Sequence, residues 1–182
     1  LLLYAVDSFP SVIQDDARAW LKAMEVDVEG QRQHLDQTLA SLPQGDIRRG
    51  QAVFKRDATA CSACHQVGYV GGQTGPDLTR IGSVRTERDL LEAILFPSAS
   101  FVRSYEPMIV ETQDGEQYSG VMHRESGDEL RMVIGAGNEI RLTQKEIDSI
   151  RPGQVSLMPS GLEEQLSPLE LADLLAFLKS RQ

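Results

Sequence analysis

The five residues Cys61-Ser62-Ala63-Cys64-His65 constrain this chain more than any other stretch. They hold the only two cysteines of the sequence and one of its three histidines. Two thiols one helical turn apart can add to the two vinyl groups of one porphyrin, and the next residue then puts an imidazole under the iron. C-x-x-C-H is the attachment signature of a c-type haem. A structural zinc site wants four ligands, and the sequence has no second Cys/His pair to supply them. A thioredoxin-type C-x-x-C would end a strand in a βαβ unit, which the flanks do not suggest. One haem c, held through Cys61 and Cys64 with His65 on the iron, is the expected cofactor.

The 182 residues suffice for one ordinary domain or two small ones, and 41% hydrophobic with 25% charged residues is a globular composition. No apolar run approaches the ~20 residues of a membrane span. Leu1 to Val6 is too short, and it lacks the basic flank and cleavage site of a signal peptide. The chain begins without Met, which points to a processed product or a piece of something longer, with any signal sequence upstream. Haem is attached to C-x-x-C-H outside the bacterial cytoplasm, so a periplasmic or otherwise exported location is expected. The net charge of −9 argues against nucleic acid, whose binders carry basic patches. That charge is uneven: −4 over residues 1–45, +2 over 46–104, −6 over 105–150 and −1 over 151–182.

Apolar residues at helical spacing predict helices over about 10–24 and 29–42, the second with Leu35, Leu39 and Leu42 on one face. Asp46 is a plausible N-cap for a third helix carrying Gly50, Val53 and Phe54. Glycine inside a helix costs about 1 kcal/mol against alanine. Close approach of another helix is one reason to accept that cost, and simple tolerance is the other. The motif follows, then a glycine-rich loop containing Gly75-Pro76-Asp77-Leu78. A helix opens at Thr86 and carries Leu90, Leu91, Ile94 and Leu95. Between Tyr105 and Ile150 the period changes to alternation. Met108–Thr112, Gln117–His123, Glu129–Ile134 and Glu139–Leu142 read as four strands, with Asp114-Gly115 as a hairpin turn. A small antiparallel meander is expected, with a curl into a half-open barrel as one outcome. Ser167-Pro168-Leu169-Glu170 then opens a last helix that is apolar over most of its circumference, so it should be buried on more than one side.

A haem iron of this type takes a second axial ligand, usually Met or His. Met108, Met122 and Met132 fall in strands, where a buried thioether is ordinary packing, and Met24 lies beside Trp20 on a helix face. His34 is on a polar helix face and His123 at a strand end. Met158 lies in a loop, and Pro159 holds it out of helical geometry. It follows His65 by 93 residues, a long gap that shrinks to 47 once residues 105–150 are set aside as an insertion. Met158 is therefore the expected second ligand, with loop packing as the plainer alternative. The Pro76 carbonyl is a candidate acceptor for the other ring N–H of His65, since ligating histidines are oriented in this way. An ordinary Gly-Pro turn is the alternative. Arg80 and Arg85 are candidates for pairing with haem propionates, although solvated arginines read better.

Gly50 and Phe54, the Cys61–His65 motif, Gly75-Pro76-Asp77-Leu78, Met158-Pro159 and the closing Leu-Ala-Asp-Leu-Leu-Ala-Phe-Leu helix together resemble class I cytochromes c. A closer likeness lies in residues 89–100, 156–162 and 171–178. In these the chain resembles the C-terminal haem-binding domain of planctomycete and verrucomicrobial membrane-bound dehydrogenase-type proteins, over about residues 30–182. The resemblance implies His65/Met158 ligation, a helical-repeat region upstream, and electrons received from an attached or partner dehydrogenase. The expected fold is mainly α: a class I cytochrome c-like helical haem domain over residues 46–104 and 151–182, an inserted antiparallel β subdomain over 105–150, and a helical arm over 1–45. The expected role is one-electron transfer through a redox partner protein, without enzymatic activity of its own. The competing role is a haem-based sensor or gas-binding protein whose sixth ligand is displaceable.

Overall fold

The computed structural model of the chain describes residues 27–124 and 128–182. The helix expected over 10–24, with Met24, lies outside the described residues. The chain divides into two compact units at His34/Leu35. In the first, the Asp27 carboxylate accepts the Gly30 N–H at 2.8 Å, and Glu29 accepts from Arg32 and Gln33. These are the contacts of a helix start. The helix, α1, runs Val28–Ser41.

The second unit contains α2 (Ile47–Lys55), α3 (Cys61–Cys64), α4 (Ile81–Val84), α5 (Glu87–Leu95), five strands and α6 (Pro168–Lys179). Its longer helices begin where short polar side chains can satisfy otherwise orphaned N–H groups. Asp46 accepts the N–H groups of Arg48 and Arg49 to open α2. Thr86 with Asp89, and Ser167 with Glu170, form full capping boxes for α5 and α6. The short α4 carries no side-chain cap at its start, and Lys179 Nζ donates to the Gly82 and Arg85 carbonyls at its end. It has no periodic pattern, and the sequence did not predict it.

The helical core is built on the crossing of α2 and α6. A Cβ at Gly50 would lie 1.8 Å from the Asp173 carbonyl oxygen and 2.8 Å from Phe177 Cβ, so the two helices meet backbone to backbone there. Close approach, and not tolerance, is the reason for this glycine. One turn on, the Phe54 and Phe177 rings lie 5.5 Å apart, tilted by 46°. Leu35 of α1, Leu91 of α5 and Leu175 of α6 are buried in the same core, with Leu39 and Leu42 packed against it. Asp173 is a buried charge inside the otherwise apolar α6, only 2% exposed. Arg49 Nε and Nη2 donate to it at 2.6 and 2.8 Å, and the Asp46 N–H donates at 2.6 Å. The Arg49 bonds, above all, hold the carboxyl below its ordinary pKa.

The strands are β1 (Pro107–Thr112), β2 (Gln117–Arg124), β3 (Glu129–Gly135), β4 (Asn138–Thr143) and β5 (Ile147–Pro152). They form one antiparallel sheet in the order β4-β3-β2-β1-β5. The meander expected from sequence is present, with Gly115 in the left-handed region (φ +86°) at the β1–β2 turn. The fifth strand was not expected. Its charged and polar residues carry little of a buried-strand pattern, because it is a largely exposed edge paired only with β1. One face has its own small core of Val110, Leu130, Met132 and Leu142, with Met108 and Met122 packed against it. The three strand methionines are thus packing residues. Helix covers 36% and strand 22% of the described residues, so the fold is a helical domain with a substantial sheet, and not plainly mainly α.

The backbone contact at Gly50 leads to a stability prediction. Gly50→Ala gains about 1 kcal/mol of helix propensity. Overpacking against α6 costs about 1–3 kcal/mol, or more where the obstacle is backbone. Urea unfolding should therefore show net destabilisation. A second prediction concerns acid. Glu170 accepts the Ser167 N–H and hydroxyl and the Arg56 guanidinium, which lower its pKa from 4.5 to about 2, the Ser167 N–H contributing most. A depressed carboxyl stabilises the fold above its unfolded pKa and loses that contribution as pH falls through the folded value. Glu170→Gln should therefore flatten the decline of stability between about pH 4.5 and 2, read as the slope of unfolding free energy against pH.

Candidate functional site

The motif sits on a single turn that α2 delivers directly. The Thr59 hydroxyl is buried and donates to the Val53 carbonyl of α2 at 2.7 Å. Ala60 adopts a left-handed conformation (φ 49°) that re-aims the chain into α3. Cys61 and Cys64 are both half-buried, and burial pushes each thiol above its ordinary pKa. His65 caps the turn, its N–H donating to the Cys61 carbonyl at 2.9 Å.

The glycine-rich loop then folds back over the motif. Gly72, Gly75 and Leu78 donate backbone N–H bonds to the Ser62, Cys64 and Gln66 carbonyls at 2.9, 2.8 and 2.8 Å. Two of these positions admit no side chain. A Cβ at Gly72 would lie 1.9 Å from the Ala63 carbonyl oxygen, and one at Gly75 would lie 2.6 Å from His65 Cε1. The chain at Gly75 is a cradle for the imidazole ring, and the next residue supplies its partner: His65 Nδ1 lies 2.8 Å from the Pro76 carbonyl oxygen. With Nδ1 donating to that carbonyl, Nε2 keeps its lone pair for another partner. Burial lowers the His65 pKa, with the Pro76 bond opposing, so the ring is neutral at pH 7.

Cys61, His65, Pro76 and Met158 all line one cavity, walled on the α6 side by Leu174 and Leu178. The other side of α6 packs on α2, so this helix is buried on two sides as its composition predicts. Met158 is held by a short relay. The Ser98 hydroxyl accepts the Ser156 N–H at 3.0 Å, and the Ser156 hydroxyl accepts the Met158 N–H at 3.1 Å. Cys64 does not line the cavity. Arg85 does and Arg80 does not. His34 is exposed on α1, and the His123 ring meets that of Tyr105 edge-on, with centroids 6.4 Å apart. Sequence reasoning missed Tyr105 and Val121, which also line the cavity. Neither carries a local signal, since each reads as an ordinary residue at or near a strand. It also missed the Arg49–Asp173 pair, for which a lone acid inside an apolar helix was the available sign.

The Cys61 thiol, an imidazole with its Nε2 lone pair available and a thioether around an apolar cavity, with Cys64 on the turn beside it, suit a large apolar group carrying a metal of intermediate softness. The glycine cradle keeps the imidazole where such a group would meet it. Gly75→Ala should push the ring off Pro76 and mix the two imidazole tautomers, visible as a change in the His65 ¹⁵N shifts. An unchanged Nδ1–H tautomer in that variant would mean the cradle does not orient the ring.

A family profile described as Cytochrome c matches residues 47–182, well over half of the chain. No curated protein matches the chain.

Proposed function

This chain belongs to the cytochrome c family, whose members carry haem c for electron transfer, and on that footing we propose a single-haem carrier with His65 and Met158 as its axial ligands. The observation that carries the proposal is that His65 and Met158 line the same cavity although 93 residues separate them in sequence. Cys61 and Cys64 would hold the haem through thioether bonds to its two vinyl groups. His65 would offer Nε2 and Met158 its sulfur to the iron. The Pro76 carbonyl orients the imidazole and raises its basicity. Bound haem supplies a one-electron iron couple, and the domain itself is an electron carrier and not an enzyme.

The proposed division follows the two cores. The haem domain comprises residues 46–104 and 151–182, with 105–150 inserted before the Met158 loop and residues 1–45 as an arm that ends a helical-repeat region. In support of the insertion, the sheet packs around a core of its own; the arm is joined to the helical core through Leu35, with Leu39 and Leu42 packed against it. The likeness of residues 89–100, 156–162 and 171–178 to dehydrogenase-type proteins supports an attached or partner dehydrogenase as electron donor. Haem attachment outside the cytoplasm supports a periplasmic location. No described helix is long and apolar enough to cross a membrane.

The test is optical. The wild type should be low-spin, show the weak far-red band of Met–Fe(III), and resist carbon monoxide when reduced. Met158→Ala should lose the band and bind carbon monoxide. A high-spin wild type that binds carbon monoxide readily would overturn the assignment in favour of a sensor.

A further inference from the structure

The sheet has a second buried face, and its own core does not account for it. Directly paired residues of neighbouring antiparallel strands point to the same side. Pro107 pairs with Val121, and Val121 with Val133, so the three share one face. The sheet's own core, around Val110 and Met132, belongs to the residues of opposite alternation. Yet Val121 is 3% and Val133 7% exposed, and Pro107 is fully buried. Val121 lines the cavity that holds Cys61, His65 and Met158. Tyr105 lines it too, and its ring lies against His123, two residues beyond Val121 on β2. Beside the cavity, a polar cleft is lined jointly by Gln66, Gln73 and Asp77 of the His65 loop and by His123 and Arg131 of the same sheet face.

We infer that this face of the inserted sheet is a wall of the haem cavity, with Val121 as the residue that keeps water from the haem and so holds its potential up. This rests on the reading that the cavity takes the haem. The physical reason is electrostatic. The ferric centre carries one more positive charge than the ferrous one, and an apolar wall disfavours the more charged state. Replacing that wall by water, a hydroxyl or a carboxylate stabilises ferric haem relative to ferrous, and the potential falls. The insertion then acts on the redox couple itself.

Spectroelectrochemical titration of the holoprotein tests this with three variants. Val121→Asp should shift the reduction equilibrium toward ferric by about tenfold, which is about 59 mV for one electron. Val121→Thr, which keeps the shape and adds a hydroxyl, should shift it the same way by at least about twofold. Ile134→Asp puts the same charge on an exposed position of β3, at the irregularity after Val133, and should leave the potential within about twofold of wild type. If Val121→Asp does not fold, Val121→Thr decides. Low-spin spectra with wild-type potentials in the Val121 variants would overturn the inference, even if their unfolding temperatures drop, because a merely structural residue would do no more. Equal shifts in Ile134→Asp and Val121→Asp would overturn it also. A wild type without a haem spectrum would sink the underlying reading first, and is distinguishable on that ground.

Discussion

The backbone contact between α2 and α6 at Gly50 is the constraint on which the rest of the molecule depends. Only a residue without Cβ lets the Asp173 carbonyl come so close. That approach brings Phe54 and Phe177 into ring contact and fixes the relation of the two helices. One of them leads straight into the Cys61–His65 turn, and the other contributes Leu174 and Leu178 to the cavity wall. The position of the imidazole relative to the apolar side of its cavity is thus set by a packing decision made at Gly50, well upstream of His65. Asp173 reinforces the same crossing, because a buried carboxylate tolerates only the arrangement that brings Arg49 and the Asp46 N–H to it.

Around that crossing the site is assembled from segments far apart in sequence, each held by short-range chemistry. The loop after His65 closes because glycines at 72 and 75 let backbone meet backbone and ring. The Met158 loop is held through Ser98 and Ser156, so the end of the α5 region positions a residue that arrives only after five strands. The sheet between the α5 region and the Met158 loop carries its own core on one face and lends Val121 of the other to the cavity. Loop closure adds little for extra length. The larger requirement is that the ends of this strand segment return to the same place. Pairing of β5 with β1, and the packing of Gly153 on Pro107, meet that requirement.

Much of this was legible because the signals are local. Asp46, Thr86 and Ser167 cap the helices they were expected to open, since a cap depends on residues within one turn. The β1–β2 hairpin follows from Asp114-Gly115, and the packing of Met108, Met122 and Met132 follows from strand alternation. The unread elements share the opposite property. Strand β5 exists because β1 offers it an edge, α4 because α6 and the loop before it confine the chain, and the burial of Asp173 because Arg49 stands across from it. The fold class was weighted too far toward helix for the same reason, since an exposed edge strand leaves little pattern.

By itself the sequence determined the haem-attachment signature, the capped starts of α2, α5 and α6 and the presence of a strand-rich segment, because spacing, caps and alternation act over a few residues. It also nominated Met158 and Pro76 beside the motif. Only the tertiary structure decided that Gly75 cradles the ring, that Pro76 meets its nitrogen, and that one face of the sheet is turned toward the cavity with Val121 in its wall. Those are relations between segments tens of residues apart. Alternation states that a strand has two faces, and only packing against the rest of the chain states what each face meets.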